Sequence, residues 1–232
     1  EWGNGCYSER SIRLPRTYWC YQPHIDCPEV APLPALSDSR ITFGCLNNFC
    51  KTSPTTLETW GKLLAEVPQS RLLLHVHEGS HRRRVLDFVR QYGVDSSRIE
   101  FVGSKPLAEY FRIYNRIDIA LDPFPCAGGT TTCDALWMAV PVVSLTGATA
   151  VGRSGVSLLN NVGLSELVAQ SPEEYVDKAT ALASDLPALA TIRAGLRDRM
   201  RQSPIMDATR FAADVETAYR TMWRSWIPKS QI

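Results

Sequence analysis

The stretch that most constrains the fold of this chain joins two apolar runs through a glycine-rich turn and three threonines. It contains, in order, a buried strand, the turn, a helical run and a second buried strand, at residues 117–121, 128–129, 133–138 and 142–145. Pro123 and Pro125 end the first strand, because proline cannot continue a sheet ladder. The pattern therefore predicts strand, turn, helix and strand, the unit from which parallel sheets are built.

The start of the predicted helix is suited to bind an anion. The first N–H groups of a helix lack partners within it, and the helix dipole is positive at this end. Thr130, Thr131 and Thr132 add hydroxyl groups beside those amides, although threonine is also an ordinary helix cap. Three threonines directly after Gly128 and Gly129 favour a phosphate-binding site over simple capping.

The composition argues against several classes of partner. The 232 residues have a formal net charge of +1 and are 44% hydrophobic, which is typical of a globular domain and does not indicate a nucleic-acid partner. No apolar run approaches the ~18 residues of a membrane span, so we expect no membrane partner. The basic run at 81–84 lacks interleaved aromatic residues and predicts a solvated helix start.

The seven cysteines favour a reducing compartment, and we expect a cytoplasmic protein. Their number is odd and none forms a Cys-x-x-Cys pair, so we do not predict a disulfide framework. Cys20, His24 and Cys27 are the one cluster that resembles a set of metal ligands. An obvious fourth ligand is lacking, so we predict no metal site.

Strands and helices alternate from residue 41 to residue 145, which predicts an α/β fold with a Rossmann-like parallel sheet covered on both faces. We divide the chain into a proline-rich and aromatic connecting segment, 1–39, and a Rossmann-like domain, 40–232. Three amphipathic helices close the domain, near 172–183, 186–202 and 208–226. Because the chain starts with Glu1 rather than Met, we expect a fragment of a longer protein.

Ligands of parallel sheets bind where the strands end, and two polar loops follow predicted strands. Lys51 lies in the first loop, 47–51, where its ammonium group can reach an anion, although a lone loop lysine is more often a plain surface residue. The second loop, 103–106, lies where a nucleobase would rest. Tyr110 follows one helical turn later and can stack on that base, although core packing is its more usual role.

The fingerprints of two common nucleotide-binding classes are absent. The sequence has no Gly-x-Gly-x-x-Gly motif and no Walker lysine motif, which disfavours an NAD dehydrogenase or a P-loop enzyme. It also lacks a nucleophile elbow with a Ser, His and Asp order.

Several segments, taken together and in order, resemble the C-terminal catalytic half of O-linked N-acetylglucosamine transferase and its bacterial relatives. They include Phe-Gly-Cys-Leu-Asn-Asn-Phe-Cys-Lys, Asp-Ile-Ala-Leu-Asp and Gly-Gly-Thr-Thr-Thr-Cys-Asp-Ala-Leu-Trp, and they lie at 43–51, 53–60, 98–101, 118–122, 128–137 and 150–153. Similarity extends to 7–15 and 219–226. The resemblance thus covers nearly the whole chain.

This resemblance implies the C-terminal half of a GT-B glycosyltransferase, in which 40–232 binds the nucleotide sugar. The family transfers N-acetylglucosamine from UDP-N-acetylglucosamine to Ser or Thr hydroxyls with inversion, without a cofactor or an essential metal. The implied partners are the UDP-sugar donor, a protein acceptor, and the N-terminal catalytic half and tetratricopeptide repeats of the parent chain.

The resemblance also assigns the residues expected at the donor phosphates. Asn48 and Lys51 match a polar side chain and a lysine at the diphosphate, and Lys51 is the expected catalytic residue. Thr130 and Thr131 match phosphate-binding threonines at a helix start. Gly129 stands where animal members have a histidine, so one donor near the phosphates is missing.

The remaining matches concern the base and the ribose. Lys105 falls in the loop whose backbone meets uracil, and Tyr110 stands where the family often has a base-stacking histidine. Asp134 matches an acidic residue near the ribose, whereas Leu107 replaces a lysine that could touch it. These differences from the family pattern leave the choice of donor sugar open.

Two alternative functions remain open at this point. A degenerate domain of this kind can sense a nucleotide sugar or act as a scaffold without turning anything over. An N-linked glucosyltransferase would use the same fold and a different donor sugar. In either enzyme, the cleft lies between two halves, so we predict that residues 1–232 alone transfer no sugar.

Overall fold

The computed structural model describes residues 8–25 and 27–227. The strands are β1 Thr42–Cys45, β2 Arg71–His75, β3 Ile99–Val102, β4 Ile119–Leu121, β5 Val142–Leu145 and β6 Val168–Ala169. The helices are α1 Ala35–Asp38, α2 Pro54–Glu66, α3 Ser80–Arg90, α4 Leu107–Tyr114, α5 Thr130–Trp137, α6 Ser154–Asn161, α7 Pro172–Ser184, α8 Leu186–Gln202 and α9 Ala208–Trp226. The first seven residues of the predicted connecting segment, Asp26 and residues 228–232 lie outside the described part of the chain.

All six strands are parallel and follow the order β3-β2-β1-β4-β5-β6. The prediction of an α/β parallel sheet is confirmed. Phe43 in the middle of β1 pairs with Leu72 on one side and Ile119 on the other. Strands before β4 are added on one side of β1 and later strands on the other side, and the point between β1 and β4 where this direction changes is the reversal of the sheet. In open sheets of this order, ligands bind in the crevice beyond the strand ends at that reversal.

The observed bounds follow from local chemistry. The Ser53 hydroxyl accepts the N–H of Thr56 and Pro54 opens α2, as the sequence predicts for a capped start. α5 begins at Thr130 rather than Cys133, because Gly129 is its N-cap. The sequence pattern missed β6, since a two-residue strand is too short to show periodicity.

The segment before β1 packs onto the domain that follows it. Tyr21, Leu33 and Ala35 are buried in the same hydrophobic core as the sheet. The guanidinium of Arg16 contacts the carboxylate of Asp214 in α9 at 2.9 Å. The division of the chain at residue 39 stays a prediction, but the described part of the connecting segment has a fixed place against the domain.

Candidate functional site

The loops after β1 and β4 meet at the reversal of the sheet. Lys51 donates from Nζ to the carbonyl of Ala127 at 3.0 Å. The hydroxyls of Ser53 and Thr56 both donate to the carbonyl of Phe124, at 2.7 and 2.6 Å. These bonds fix the Lys51 ammonium group beside the glycine-rich turn, which the sequence places 76 residues later.

That turn leads into the first turn of α5, where the predicted anion site lies. The N–H of Cys133 donates to the carbonyl of Gly129 at 3.0 Å, so the amides of residues 130–132 precede the hydrogen-bond ladder of the helix. Thr130 is exposed and Thr131 is half-buried. The helix start therefore places its first amides and the exposed Thr130 at the strand ends near Lys51, and this arrangement attracts an anion.

The third threonine has a different role. Thr132 is buried, and its hydroxyl donates to Asp122 Oδ1 at 3.0 Å. Asp122 directly follows β4, and its Oδ1 also accepts the N–H of Gly128 at 3.1 Å. The pKa of Asp122 is raised above its ordinary value because the carboxyl group is buried. Three hydrogen bonds to the carboxylate, one of them from Ser144, act in the opposite direction and offset part of this effect. The threonine run is thus divided between the crevice and the interior.

Asn48 lies in the same loop as Lys51 and caps a short 3₁₀ turn. Its Oδ1 accepts the N–H of Cys50 at 3.1 Å, and the side chain is exposed at the strand end. The neighbouring Asn47 is buried instead. The predicted contact of Asn48 with the diphosphate stays a prediction, and the structure places this residue next to the crevice.

Tyr110 and Asp134 contact each other, which sequence reasoning did not predict. The Asp134 carboxylate accepts the hydroxyl of Tyr21 at 2.8 Å and that of Tyr110 at 3.0 Å. Tyr110 also packs edge to face against Tyr114, whose hydroxyl donates to the carbonyl of Thr131 at 3.1 Å. This tyrosine cluster ties α4 and the connecting segment to α5. The predicted stacking of Tyr110 on the base and the contact of Asp134 with the ribose stay predictions.

The pKa of Asp134 is raised above its ordinary value because the carboxyl group is buried in this cluster. The hydrogen bonds from the two tyrosine hydroxyls offset part of this effect. Burial also raises the pKa of Tyr110 and of Tyr21, whose hydroxyls face this carboxylate. The tyrosines are therefore neutral hydrogen-bond donors at neutral pH, and they hold the first turns of α5 in place.

Lys105 lies in the loop between β3 and α4, two strands away from the reversal of the sheet. Its side chain is exposed, with Nζ 3.9 Å from the carboxylate of Glu109. The predicted uracil contact belongs to the backbone of this loop and stays a prediction.

Trp19 of the connecting segment covers Gly129. A Cβ at Gly129 would lie 2.3 Å from Cη2 of the indole, so the present position of the ring leaves no room for a side chain there. The glycine that breaks the family pattern in the sequence thus coincides with a tryptophan that fills the space beside the helix start.

Sequence reasoning missed Asp122 and Trp19 as parts of this site. A signal existed for Asp122, because a carboxylate that directly follows an apolar strand and precedes a glycine-rich turn needs buried donors. No signal existed for Trp19, since its contact with Gly129 spans 110 residues of sequence.

The described residues show no group of three or more His, Cys, Asp or Glu side chains placed to hold a metal ion. Among the same residues, no helix has the length and apolar character needed to cross a bilayer.

Comparison with known proteins places this geometry in a family. The model of glycosyl transferase family 41 matches residues 33–215. A tomato (Solanum lycopersicum) protein named "Probable UDP-N-acetylglucosamine--peptide N-acetylglucosaminyltransferase SPINDLY" is 40% identical over 225 residues, which cover 94% of this chain and 24% of that protein. A UDP-N-acetylglucosamine--peptide N-acetylglucosaminyltransferase from Caenorhabditis elegans is 32% identical over 82% of this chain and 17% of its own length.

The fold agrees with that assignment. A solved mutant of the O-GlcNAc transferase from Thermobaculum terrenum matches with a TM-score of 0.88 and 39% identity, and the match covers 96% of this chain and 42% of that one. The prediction of a GT-B half is therefore confirmed. The chain spans about a quarter of the length of the curated relatives that it matches. The chain belongs to glycosyl transferase family 41.

Proposed function

We propose that this chain is the donor-binding domain of an inverting glycosyltransferase that moves N-acetylglucosamine from UDP-N-acetylglucosamine to Ser or Thr hydroxyls of proteins. One observation carries the proposal: the Lys51 ammonium group and the first turn of α5 meet at the reversal of the sheet. A cation and unpaired helix amides at that place suit a diphosphate. The names of the relatives support the sugar and the protein acceptor.

In the proposed reaction, the acceptor hydroxyl displaces the uridine diphosphate from the anomeric carbon. Negative charge then grows on the diphosphate as the glycosidic bond breaks. Lys51 and the first turn of α5, with Thr130 and Thr131, stabilise that charge. Fixed donors of this kind need no metal ion, and we propose that the reaction proceeds without one.

The acceptor is held largely by parts of the protein beyond this domain. α9 leaves Tyr219, Trp223 and Trp226 exposed, at 63%, 60% and 76% of their full accessible area. Aromatic surface of this extent is typical of an interface with another protein unit. We propose that the parent protein adds an N-terminal catalytic half and tetratricopeptide repeats and works in the cytoplasm.

A titration of the chain with UDP tests the donor site. UDP at about 100 times its dissociation constant should stabilise the fold by about 2.7 kcal/mol, measured as a thermal shift and checked by calorimetry. EDTA should leave this binding unchanged. GDP and UDP-glucose are the matched competitors: GDP changes only the base, and UDP-glucose tests the choice of sugar, which Leu107 and Gly129 leave open.

Activity is tested on the parent protein with a peptide acceptor. Thr130→Ala combined with Thr131→Ala should abolish most transfer. The 232-residue chain alone should bind UDP and transfer nothing, because orientation by the missing half supplies ~7–11 kcal/mol of barrier reduction.

A folded chain that does not bind millimolar UDP contradicts the proposal. UDP binding with an inactive parent would instead indicate a sensing module, and a preference for UDP-glucose would indicate a glucosyltransferase.

A further inference from the structure

Asp122 lies at the centre of four elements that surround the crevice. Its Oδ1 accepts the N–H of Gly128 at 3.1 Å and the hydroxyl of Thr132 at 3.0 Å, and its Oδ2 accepts the hydroxyl of Ser144 at 2.9 Å. The side chain is 1% exposed. One carboxylate thus joins the end of β4 to the glycine-rich turn, the first turn of α5 and the middle of β5.

Two glycines are packed tightly against this carboxylate. A Cβ at Gly128 would lie 2.6 Å from Asp122 Oδ1 and 2.2 Å from Thr132 Oγ1. A Cβ at Gly155, in the first turn of α6, would lie 2.8 Å from Asp122 Oδ2 and 2.0 Å from Ser144 Oγ. A side chain at either glycine would displace the carboxylate or one of the hydroxyls that donate to it, so both glycines leave room for this hydrogen-bonded group.

The donors to Asp122 in the described structure are an amide and two hydroxyls, all uncharged. The positive charge of Lys51 also favours the charged form of Asp122, and the Lys51 ammonium group donates to the carbonyl of Ala127. Burying an anion without an ion-pair partner costs free energy. We therefore attribute the role of Asp122 to the several directed hydrogen bonds that its carboxylate accepts at once. Those bonds end at residues 128 and 132, which flank the presented amides of residues 130 and 131.

We propose that Asp122 is a positioning residue for the donor: its hydrogen bonds to Gly128 and Thr132 set the first turn of α5 in the orientation that binds the diphosphate. The inference rests on the proposed function, because bound diphosphate is its principal readout. Asp122 itself stays buried behind the turn and does not touch the donor.

The test compares UDP with uridine in the 232-residue chain, by calorimetry, for Asp122→Ala and Asp122→Asn. Uridine lacks the phosphates, so the ratio of the two affinities isolates the phosphate contacts. Asp122→Ala should weaken UDP by at least about tenfold, which corresponds to one lost charge-assisted hydrogen bond between the first turn of α5 and the diphosphate, and uridine by far less. Asp122→Asn should recover most of the UDP affinity, because its side-chain oxygen can still accept from Gly128 and Thr132.

Asp118→Ala is the matched control, since it removes another buried carboxylate at the opposite end of β4. It should lower stability and leave the ratio of UDP to uridine affinity unchanged. Equal loss of UDP and uridine affinity in folded Asp122→Ala would overturn the proposal, and so would an unchanged UDP affinity. If Asp122→Ala does not fold, Thr132→Val removes one of the two bonds to Oδ1 at nearly constant shape, and a selective loss of UDP affinity supports the proposal while an unchanged ratio overturns it.

A second readout separates this inference from the proposed function. The amide proton of Gly128 should move upfield in the NMR spectrum of Asp122→Ala without any nucleotide, since it loses a carboxylate acceptor, and Asp118→Ala should leave it in place. If wild-type chain does not bind UDP, the proposed function is wrong, and a Gly128 shift then still supports the role of Asp122 in placing the turn. A Gly128 amide that keeps its shift in Asp122→Ala overturns that role.

Discussion

The two ends of β4 carry the same side chain in different surroundings. Asp118, before the strand, accepts the backbone N–H groups of Ala35 and Thr42 at 2.9 and 2.8 Å. Asp122, after the strand, accepts one backbone N–H and two hydroxyls. Both carboxylates are almost fully buried, and burial raises the pKa of each. The first fastens the chain that enters the sheet, and the second fastens the turn that faces the crevice.

The polar groups around the two ends differ in the same way. At the amino end of the sheet, Arg71 pairs with Asp38 and Arg116 pairs with Glu100. At the carboxyl end, Thr130 is exposed at the start of α5, where the first amides have no partner within the helix. An open groove of about 620 Å³ lies at the amino end, lined in part by Arg71 and Arg116. The presence of a groove therefore does not by itself identify the ligand site. The better indicator is a set of polar groups that have no partner within the protein.

The largest expected effect concerns the amino end. Asp118→Ala should lower the free energy of unfolding on the order of 2–5 kcal/mol, because it orphans two buried amides and each costs about 1–3 kcal/mol. It also removes the carboxylate that faces the buried Arg193. Urea denaturation measures the loss. A change below about 1 kcal/mol would show that water replaces the carboxylate, and the comparison between the two ends would then fail.

The second prediction concerns the carboxyl end. Lys51→Ala should weaken UDP by about 1.5–3 kcal/mol, as expected for a charge-assisted hydrogen bond, and should affect uridine much less. Lys62→Ala is the control. This substitution also removes one positive charge, but from a lysine that pairs with Glu58 on the surface of α2. Calorimetry at constant ionic strength gives both values. An equal loss for UDP and uridine would mean that Lys51 supports the fold or contacts the base.

The sequence was sufficient to predict most of the sheet, and it placed the candidate site at the strand ends, which stays a prediction. The apolar runs, the capped start at Ser53 and Pro54, and the order of the loops depend on neighbours within a few residues, where periodicity and capping apply. The hydrogen bond between Lys51 and Ala127 was not predicted, because the sequence placed Lys51 only in a polar loop after a strand. Its partner atom is a backbone carbonyl, which no sequence pattern specifies.

The rest depended on contacts between distant segments. Sequence reasoning gave Tyr110 and Asp134 separate roles, whereas the structure joins them through a hydrogen bond. The sequence assigned no role to Asp122, whose hydrogen-bond donors come from a turn, a helix and another strand. The local sequence indicates that the Asp122 carboxylate needs buried donors, but tertiary packing decides which residues supply them.

The smallest effect concerns how stability varies with pH at the two ends. A carboxyl whose pKa is raised in the folded chain stabilises the fold while it is protonated, and this contribution is lost as pH rises above its ordinary value of 3.8 through the raised value. Asp122→Asn and Asp118→Asn each replace the titrating carboxyl with a neutral amide, so the variant does not lose this contribution as pH rises. Relative to wild type, both variants should therefore gain in unfolding free energy as pH rises from about 4 to 7.

The gain should be larger for Asp122→Asn. Arg193 and Arg71 favour the charged form of Asp118, while Lys51 is the cation that favours the charged form of Asp122. Urea denaturation at several pH values measures the slopes, and comparing slopes cancels any pH-independent cost of the asparagine. Equal slopes would mean that burial alone sets both pKa values. A larger slope for Asp118→Asn would mean that the arginines do not reach Asp118 in solution, and the contrast between the two ends of β4 would then rest on hydrogen bonds alone.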